Sequence, residues 1–142
     1  MKSRITIPKY AMALANIARL RSEDPFRQVG AAALDFDNRV IGTAYNGLAP
    51  GFEAVSDFWD DRDKRQKFMI HAEVNLCSLF KRNEAKIIAV TTMPCTSCMQ
   101  MLCSYGVKEI YYAEDYKSDA KEIAEMYGIK LEHIDIDKFD ES

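Results

Sequence analysis

The chain has 142 residues, 48% of them hydrophobic and 29% charged, enough for one domain with a core and too few for two. No apolar run approaches the ~20 residues of a membrane span, and Asn16 and Arg19 interrupt the apolar start with no small-residue cleavage site after it, so a cytoplasmic protein is expected and not a secreted or membrane one. A formal charge of −3 lacks the basic excess with which proteins grip a polynucleotide backbone, and so favours a small-molecule substrate.

Residues 8–22 place apolar side chains at 10, 13, 14, 17 and 20, which predicts a helix with Pro8 in its first turn. Residues 28–35 and 39–45 read as strands joined by a tight hairpin at Phe36-Asp37-Asn38. Residues 46–69 hold Gly47, Pro50, Gly51 and a charged run, so they read as a long loop or irregular insertion, a place where function tends to sit. A helix over about 70–82 follows, then a buried strand over 86–92 and a helix over 95–105. Next come a strand over 108–113 and an amphipathic helix over 117–128 that ends at Gly128. A last strand, 130–135, leads into an acidic tail. Strands separated by helices imply parallel pairing through right-handed crossovers. The expected fold class is α/β, a three-layer α/β/α sandwich on a five-stranded mixed sheet, as a single domain over 1–142.

Of the cysteines, Cys95 and Cys98 are three apart, on one face of a helix, where they can chelate one ion. In a cytoplasmic setting such a pair is more often a metal or redox site than a structural disulfide. Cys77 and Cys103 read as small buried hydrophobes. His71-Ala72-Glu73 opens the helix after the long loop, and Pro94-Cys95-Thr96-Ser97-Cys98 opens the helix after the next strand. If those helices lie side by side on one face of the sheet, His71, Cys95 and Cys98 converge. Sulfur and imidazole suit zinc, and three protein ligands keep a fourth position for water. Helix N-termini add positive potential that favours thiolates. Glu73 lies about 200° round an ideal helix from His71, so only the local geometry of a helix start can aim both at one cavity. A structural zinc site needs a fourth ligand, and Cys77, Cys103 and His133 are poorly spaced to supply it. A redox pair would leave His71-Ala72-Glu73 without a purpose.

His-x-Glu followed by Pro-Cys-x-x-Cys is the zinc-deaminase signature. With it stand Arg21-Ser22-Glu23-Asp24-Pro25, Gln28-Val29-Gly30-Ala31, Ala44-Tyr45-Asn46-Gly47 with Pro50-Gly51, and Gly106-Val107-Lys108-Glu109-Ile110. On these residues the chain resembles the cytidine deaminase superfamily and, within it, the deoxycytidylate deaminases, from the first helix to about Tyr116. The stretch from Ala44 to Gly51 carries the dCMP branch, with Ala44 where the pattern has Gly.

The resemblance implies zinc-dependent hydrolytic deamination of dCMP to dUMP and ammonia, with one zinc on His71, Cys95 and Cys98. Glu73 is then the catalytic acid–base. It takes a proton from the zinc-activated water, protonates the ring nitrogen and passes a proton to the departing ammonia. Asn46 is implied as a hydrogen bond to the sugar, and Ala72 as a backbone N–H on the base carbonyl. Phe26 and Arg27 fall in the turn that lines the pocket, and Tyr116 covers the nucleotide. For the phosphate, Arg27 ranks first, then Arg65 and Lys67 from the charged run. The resemblance also implies a homohexamer, activated by dCTP with Mg2+ and inhibited by dTTP, with effector contacts around Asn46, Gly47 and Gly51. His71 and His133 are the only histidines, so one zinc per chain is expected.

Two other readings share parts of this pattern. A tRNA adenosine-type deaminase uses the same zinc motif, but the −3 charge and Tyr45-Asn46-Gly47 oppose it. A non-catalytic zinc-stabilised nucleotide sensor would have no use for Glu73.

Overall fold

The computed structural model describes residues 3–55 and 57–136; the acidic tail expected at the C-terminus lies, from residue 137 on, outside the described residues. Helix α1 (Ile7–Arg19) starts where Thr6 accepts a hydrogen bond from the Lys9 amide at 3.3 Å and Pro8 occupies the first turn. It buries Ala11, Met12, Ala15 and Ala18. Strand β1 (Gly30–Asp35) and strand β2 (Val40–Tyr45) form the expected hairpin, with Asn38 at φ 63° taking the tight position and the Asp35 carboxylate accepting from the Asp37 and Arg39 amides, both at 2.9 Å.

The segment read as a loop or irregular insertion contains a 3₁₀ turn (Phe58–Asp60) and a helix, α2 (Arg62–Phe68). Asp61 caps α2 by accepting from the Lys64 amide at 3.1 Å. No residue of α2 is buried, so hydrophobic periodicity carries no trace of it. Beneath it Phe52, Phe58 and Phe68 make a small aromatic cluster, with ring centroids 5.4 to 6.1 Å apart.

Helix α3 (Ala72–Cys77) is shorter than the 70–82 span expected. Ser78 turns the chain, its hydroxyl donating to the Asn75 carbonyl at 2.6 Å. Then come β3 (Ala85–Thr92), α4 (Thr96–Ser104), β4 (Glu109–Glu114), α5 (Ala120–Tyr127) and β5 (Lys130–His133). The strand order is β2-β1-β3-β4-β5. β1 runs antiparallel to both β2 and β3, whereas β3, β4 and β5 are parallel. The sheet is therefore five-stranded and mixed, as expected.

Alternation along the strands sorts two cores. Ala32, Leu34, Ile87, Ala89 and Tyr111 face α1. Ala31, Ala33, Ile88, Val90, Ile110 and Tyr112 face α3, α4 and α5 through Leu76, Met99, Leu102, Ala120 and Ala124. Three layers result. Among the described residues no helix is long and apolar enough to cross a membrane.

The register decides where a site can form. Gly30 pairs with Tyr45, Ala31 with Val90, and Thr92 with Glu114. The start of β1 and the ends of β2, β3 and β4 therefore meet at one edge, the carboxyl end of the parallel strands, where ligands of open α/β sheets bind.

Small residues let α1 approach this sheet closely. A methyl group on Gly30 would run into the backbone of Ala15 and Arg19, so α1 would have to shift along its whole buried face. Gly30→Ala is expected to destabilise the fold by about 3 kcal/mol, the upper part of the usual overpacking range, measured as a lowered midpoint in urea. A midpoint equal to the wild type's would show that α1 yields without cost.

Candidate active site

Two helix starts deliver the metal-type side chains. His71 is the N-cap of α3 and Cys95 the N-cap of α4, each with extended backbone and no side-chain capping bond. Their side chains are thus left for other partners. α3 is fixed against the end of β2 from both sides of His71. Gly47 and Ile70 exchange backbone hydrogen bonds at 3.0 and 2.8 Å, and Asn75 Nδ2 donates to the Tyr45 carbonyl at 2.9 Å. α4 starts directly beyond β3, with Cys98 one turn in and buried.

The result is a group of three. His71 Nδ1 lies 3.3 Å from Cys98 Sγ and 3.5 Å from Cys95 Sγ, and the three ligand atoms all fall within 4.8 Å of one another. Zinc bonds of ~2.3 Å to sulfur and ~2.0–2.1 Å to nitrogen at tetrahedral angles would put nitrogen and sulfur about 3.6 Å apart. The donors match that span, and two sulfurs with one imidazole are a zinc-type set. Among the described residues no fourth Cys, His, Asp or Glu joins the group. All four cysteines are free, so Cys95 and Cys98 are not joined to each other. Cys77 is buried in the core of α3 and Cys103 packs at its margin. His133 stands away, its Nε2 2.8 Å from the Ala113 carbonyl oxygen.

The electrostatics fit a cation-binding group. Hydrogen bonds from Cys98, His71 and Ser97 lower the Cys95 thiol to about 3, making it a thiolate. Cys98, which hydrogen-bonds to Cys95, is raised and holds the proton the pair shares. His71 is raised, chiefly by its bond to Cys95. Glu73 is 4% exposed, and burial raises its carboxyl to about 7 against the opposing pull of its own backbone N–H and of His71.

A cleft of about 360 Å³ opens over this group, lined by His71, Ala72, Glu73 and Cys95 at its floor. That is the low end of the ~300–1,000 Å³ range of small-molecule pockets. Asn46, buried to 8% exposure, lies in the wall. Its Oδ1 accepts from the Val29 amide and its Nδ2 donates to the Arg27 carbonyl, both at 2.9 Å. It is thus no simple turn residue; it ties β2 to the segment before β1. The Asp24 carboxylate is spent on the Phe26 and Arg27 amides at 2.8 and 3.2 Å, which shapes the turn carrying both residues.

Arginines ring the mouth. Arg65 lies over the Phe26 ring at 4.1 Å and Arg27 over the Tyr116 ring at 5.2 Å; Arg65 also donates to the Trp59 carbonyl. Phe26 and Tyr116, 63% and 40% exposed, serve as platforms that hold the guanidinium groups.

Of the residues expected at the site, His71, Ala72, Glu73, Cys95, Asn46, Phe26, Arg27, Arg65 and Tyr116 all line the cleft, and Cys98 lies just behind its floor. Lys67 does not. On α2 the cleft takes Arg62, Arg65 and Gln66, one helical face from which Lys67 is turned well away at about 100° per residue, and Met69 follows just past the helix end. Gly47 and Gly51 also lie outside the lining; Gly47 is occupied with Ile70, and Gly51 sits at φ 86° in the following turn. Arg62, Gln66, Thr92 and Met93 were not anticipated. Asp61 as an N-cap, with Arg65 and Lys67 in the last turn, was the signal that could have revealed α2, though not which of its faces points inward.

The model of the cytidine and deoxycytidylate deaminase zinc-binding region matches residues 5–114. ComE operon protein 2 of Bacillus subtilis is 36% identical over 145 residues, covering 95% of this chain and 75% of its own. The deoxycytidylate deaminase of Mus musculus is 30% identical over 124 residues, covering 81% of this chain and 68% of its own. In fold, the apo crystal structure of dCMP deaminase from cyanophage S-TIM5 superposes with a TM-score of 0.72 at 22% identity, over 90% of this chain and 97% of that one.

Metal analysis of the purified protein is expected to give one zinc per chain. Cys98→Ser should lower that toward zero, because a hard hydroxyl replaces a soft thiolate. Two tightly held ions per chain, or full zinc content after Cys98→Ser, would contradict this assignment of donors.

Proposed function

The chain belongs to the cytidine and deoxycytidylate deaminase family, and from that premise we propose that it acts as one deaminase domain hydrolysing dCMP to dUMP and ammonia. The observation that supports this most is the buried Glu73 carboxyl opening into the same cleft as His71 and Cys95, under a ring of arginines. His71, Cys95 and Cys98 would hold zinc. Bound there, zinc would supply Lewis acidity and a water acidified to near neutral pKa.

The chain's own residues do the rest. In the reaction water adds its oxygen to C4 of the cytosine ring, and the bond from C4 to the amino nitrogen breaks. Glu73, with a pKa near 7, can both accept and give a proton at neutral pH. It takes the proton of the attacking water, gives it to the ring nitrogen, and then moves a proton to the departing amine, which leaves as ammonia. The Ala72 N–H, in the first turn of α3 and without an i−4 carbonyl inside the helix, is assigned to the base carbonyl. Asn46 keeps one Nδ2 hydrogen beyond its two bonds to the chain and is assigned to the sugar.

A base at the floor puts the phosphate at the mouth, where Arg27, Arg62 and Arg65 supply the charge. Tyr116 covers the nucleotide. Membership of the deoxycytidylate branch extends the proposal to a cytoplasmic homohexamer, activated by dCTP with magnesium and inhibited by dTTP. The loop from Asn46 to Gly51 is the segment assigned to those effectors.

Ammonia release from dCMP, deoxycytidine and an RNA stem-loop tests the reading. Turnover of dCMP is expected, and Glu73→Gln should abolish it while leaving zinc bound. Release from the stem-loop alone would favour a tRNA-type deaminase, and nucleotide binding with no turnover would favour a sensor.

A second measurement addresses the phosphate. Arg27→Ala and Arg65→Ala should each raise KM for dCMP about tenfold or more, the scale of one charge-assisted hydrogen bond, and change KM for deoxycytidine little. Equal losses on both substrates would assign these arginines to shape and not to charge.

A further inference from the structure

The turn that carries Cys95 is held from outside the metal group. Ser118 Oγ donates to the Pro94 carbonyl at 2.8 Å and accepts from the Ala120 amide at 3.2 Å. Thr96 Oγ1 donates to Asp119 Oδ2 at 3.3 Å and accepts from the Asp119 amide at 3.1 Å. Pro94 and Thr96 flank Cys95 directly. Both neighbours of this one ligand are therefore tied to the start of α5, and each hydroxyl uses its proton and a lone pair together.

Outside the metal group, the Cys95 sulfur has one hydrogen-bonding neighbour among the described residues, Ser97 Oγ at 3.4 Å in the same turn. As N-cap of α4 it has extended backbone, φ −68° and ψ 168°, and makes no side-chain capping bond, so its direction follows from where its two neighbours are held. The α5 side is anchored in turn, because the Met93 amide donates to the Glu114 carbonyl at 2.8 Å. The loop between those anchors carries Tyr116, whose ring lies under Arg27 at the mouth.

We propose that Thr96 and Ser118 are positioning residues for the metal, clasping the Cys95 turn so that its sulfur meets His71 and Cys98 before an ion arrives. The proposal rests on the reading of those three residues as metal ligands. Preorganisation of this kind shows in affinity, since outer partners that orient a ligand are typically worth about ten- to hundredfold in metal binding.

The test uses purified zinc protein titrated with a competing chelator, alongside cobalt(II)-substituted samples. Thr96→Val keeps the shape of the side chain and removes its two bonds; Ser118→Ala removes the other two. Each is expected to raise the zinc Kd about ten- to hundredfold and to shift the visible cobalt bands. Thr96→Ser, which keeps the hydroxyl, should hold zinc and cobalt as the wild type does.

Wild-type affinity in Thr96→Val and Ser118→Ala would overturn the proposal, and so would Thr96→Ser losing as much as Thr96→Val. Should urea unfolding show that Thr96→Val does not fold, Asp119→Ala takes its place, at an exposed position whose side chain caps nothing. An unchanged Kd there overturns the proposal equally. Wild-type protein that holds no zinc would sink the ligand reading itself, a different result from variants that bind as well as the wild type.

Discussion

One imidazole and two thiols, 24 to 27 residues apart in the chain, must meet within a few ångströms, and the architecture around them serves that meeting. Helix starts alone would not achieve it. α4 begins where β3 ends at the carboxyl edge of the sheet, whereas α3 is pulled to the same edge by the backbone pairing of Gly47 with Ile70 and by Asn75 on the Tyr45 carbonyl. The antiparallel β1–β2 hairpin therefore belongs to the site as much as the parallel strands do, because it positions Gly47. Any slip in the β1–β2 register would carry His71 away from the cysteines.

Charge is graded along the cleft. At the floor, the thiolate of Cys95 and the half-neutral carboxyl of Glu73 suit a cation and a proton in transit. At the mouth, arginines rest on aromatic faces. Asp24, which lines the same cleft, is buried and accepts from the Phe26 and Arg27 amides through Oδ1, so it shapes the turn that carries Arg27. A ligand with a flat polar ring at one end and an anion at the other complements this gradient in one orientation only.

The sequence made some of this legible and hid the rest for definable reasons. Sheet type and the convergence of His71, Cys95 and Cys98 could be read because each leaves a local trace: alternating apolar strands, helices between them, and soft ligands at helix starts. α2 left no such trace, since a helix with no buried residue has no apolar period to detect. With it went Arg62 and Gln66, and with it came the misplacement of Lys67, since linear proximity to His71 says nothing about which face of a helix points inward. α3 was read too long because Leu79 and Phe80 continue the apolar pattern past the point where Ser78 ends the helix. Asn46 is expected at the sugar by resemblance alone. Its two bonds to Val29 and Arg27 are contacts between distant segments, which only the folded register reveals.

The most direct test is X-ray absorption at the zinc edge of the purified protein. Three protein ligands and one place for solvent should give two sulfur scatterers near ~2.3 Å together with one nitrogen and one oxygen near ~2.0–2.1 Å. A third sulfur, or a first shell without oxygen, would mean a closed structural site and would remove the chemical basis for deamination here.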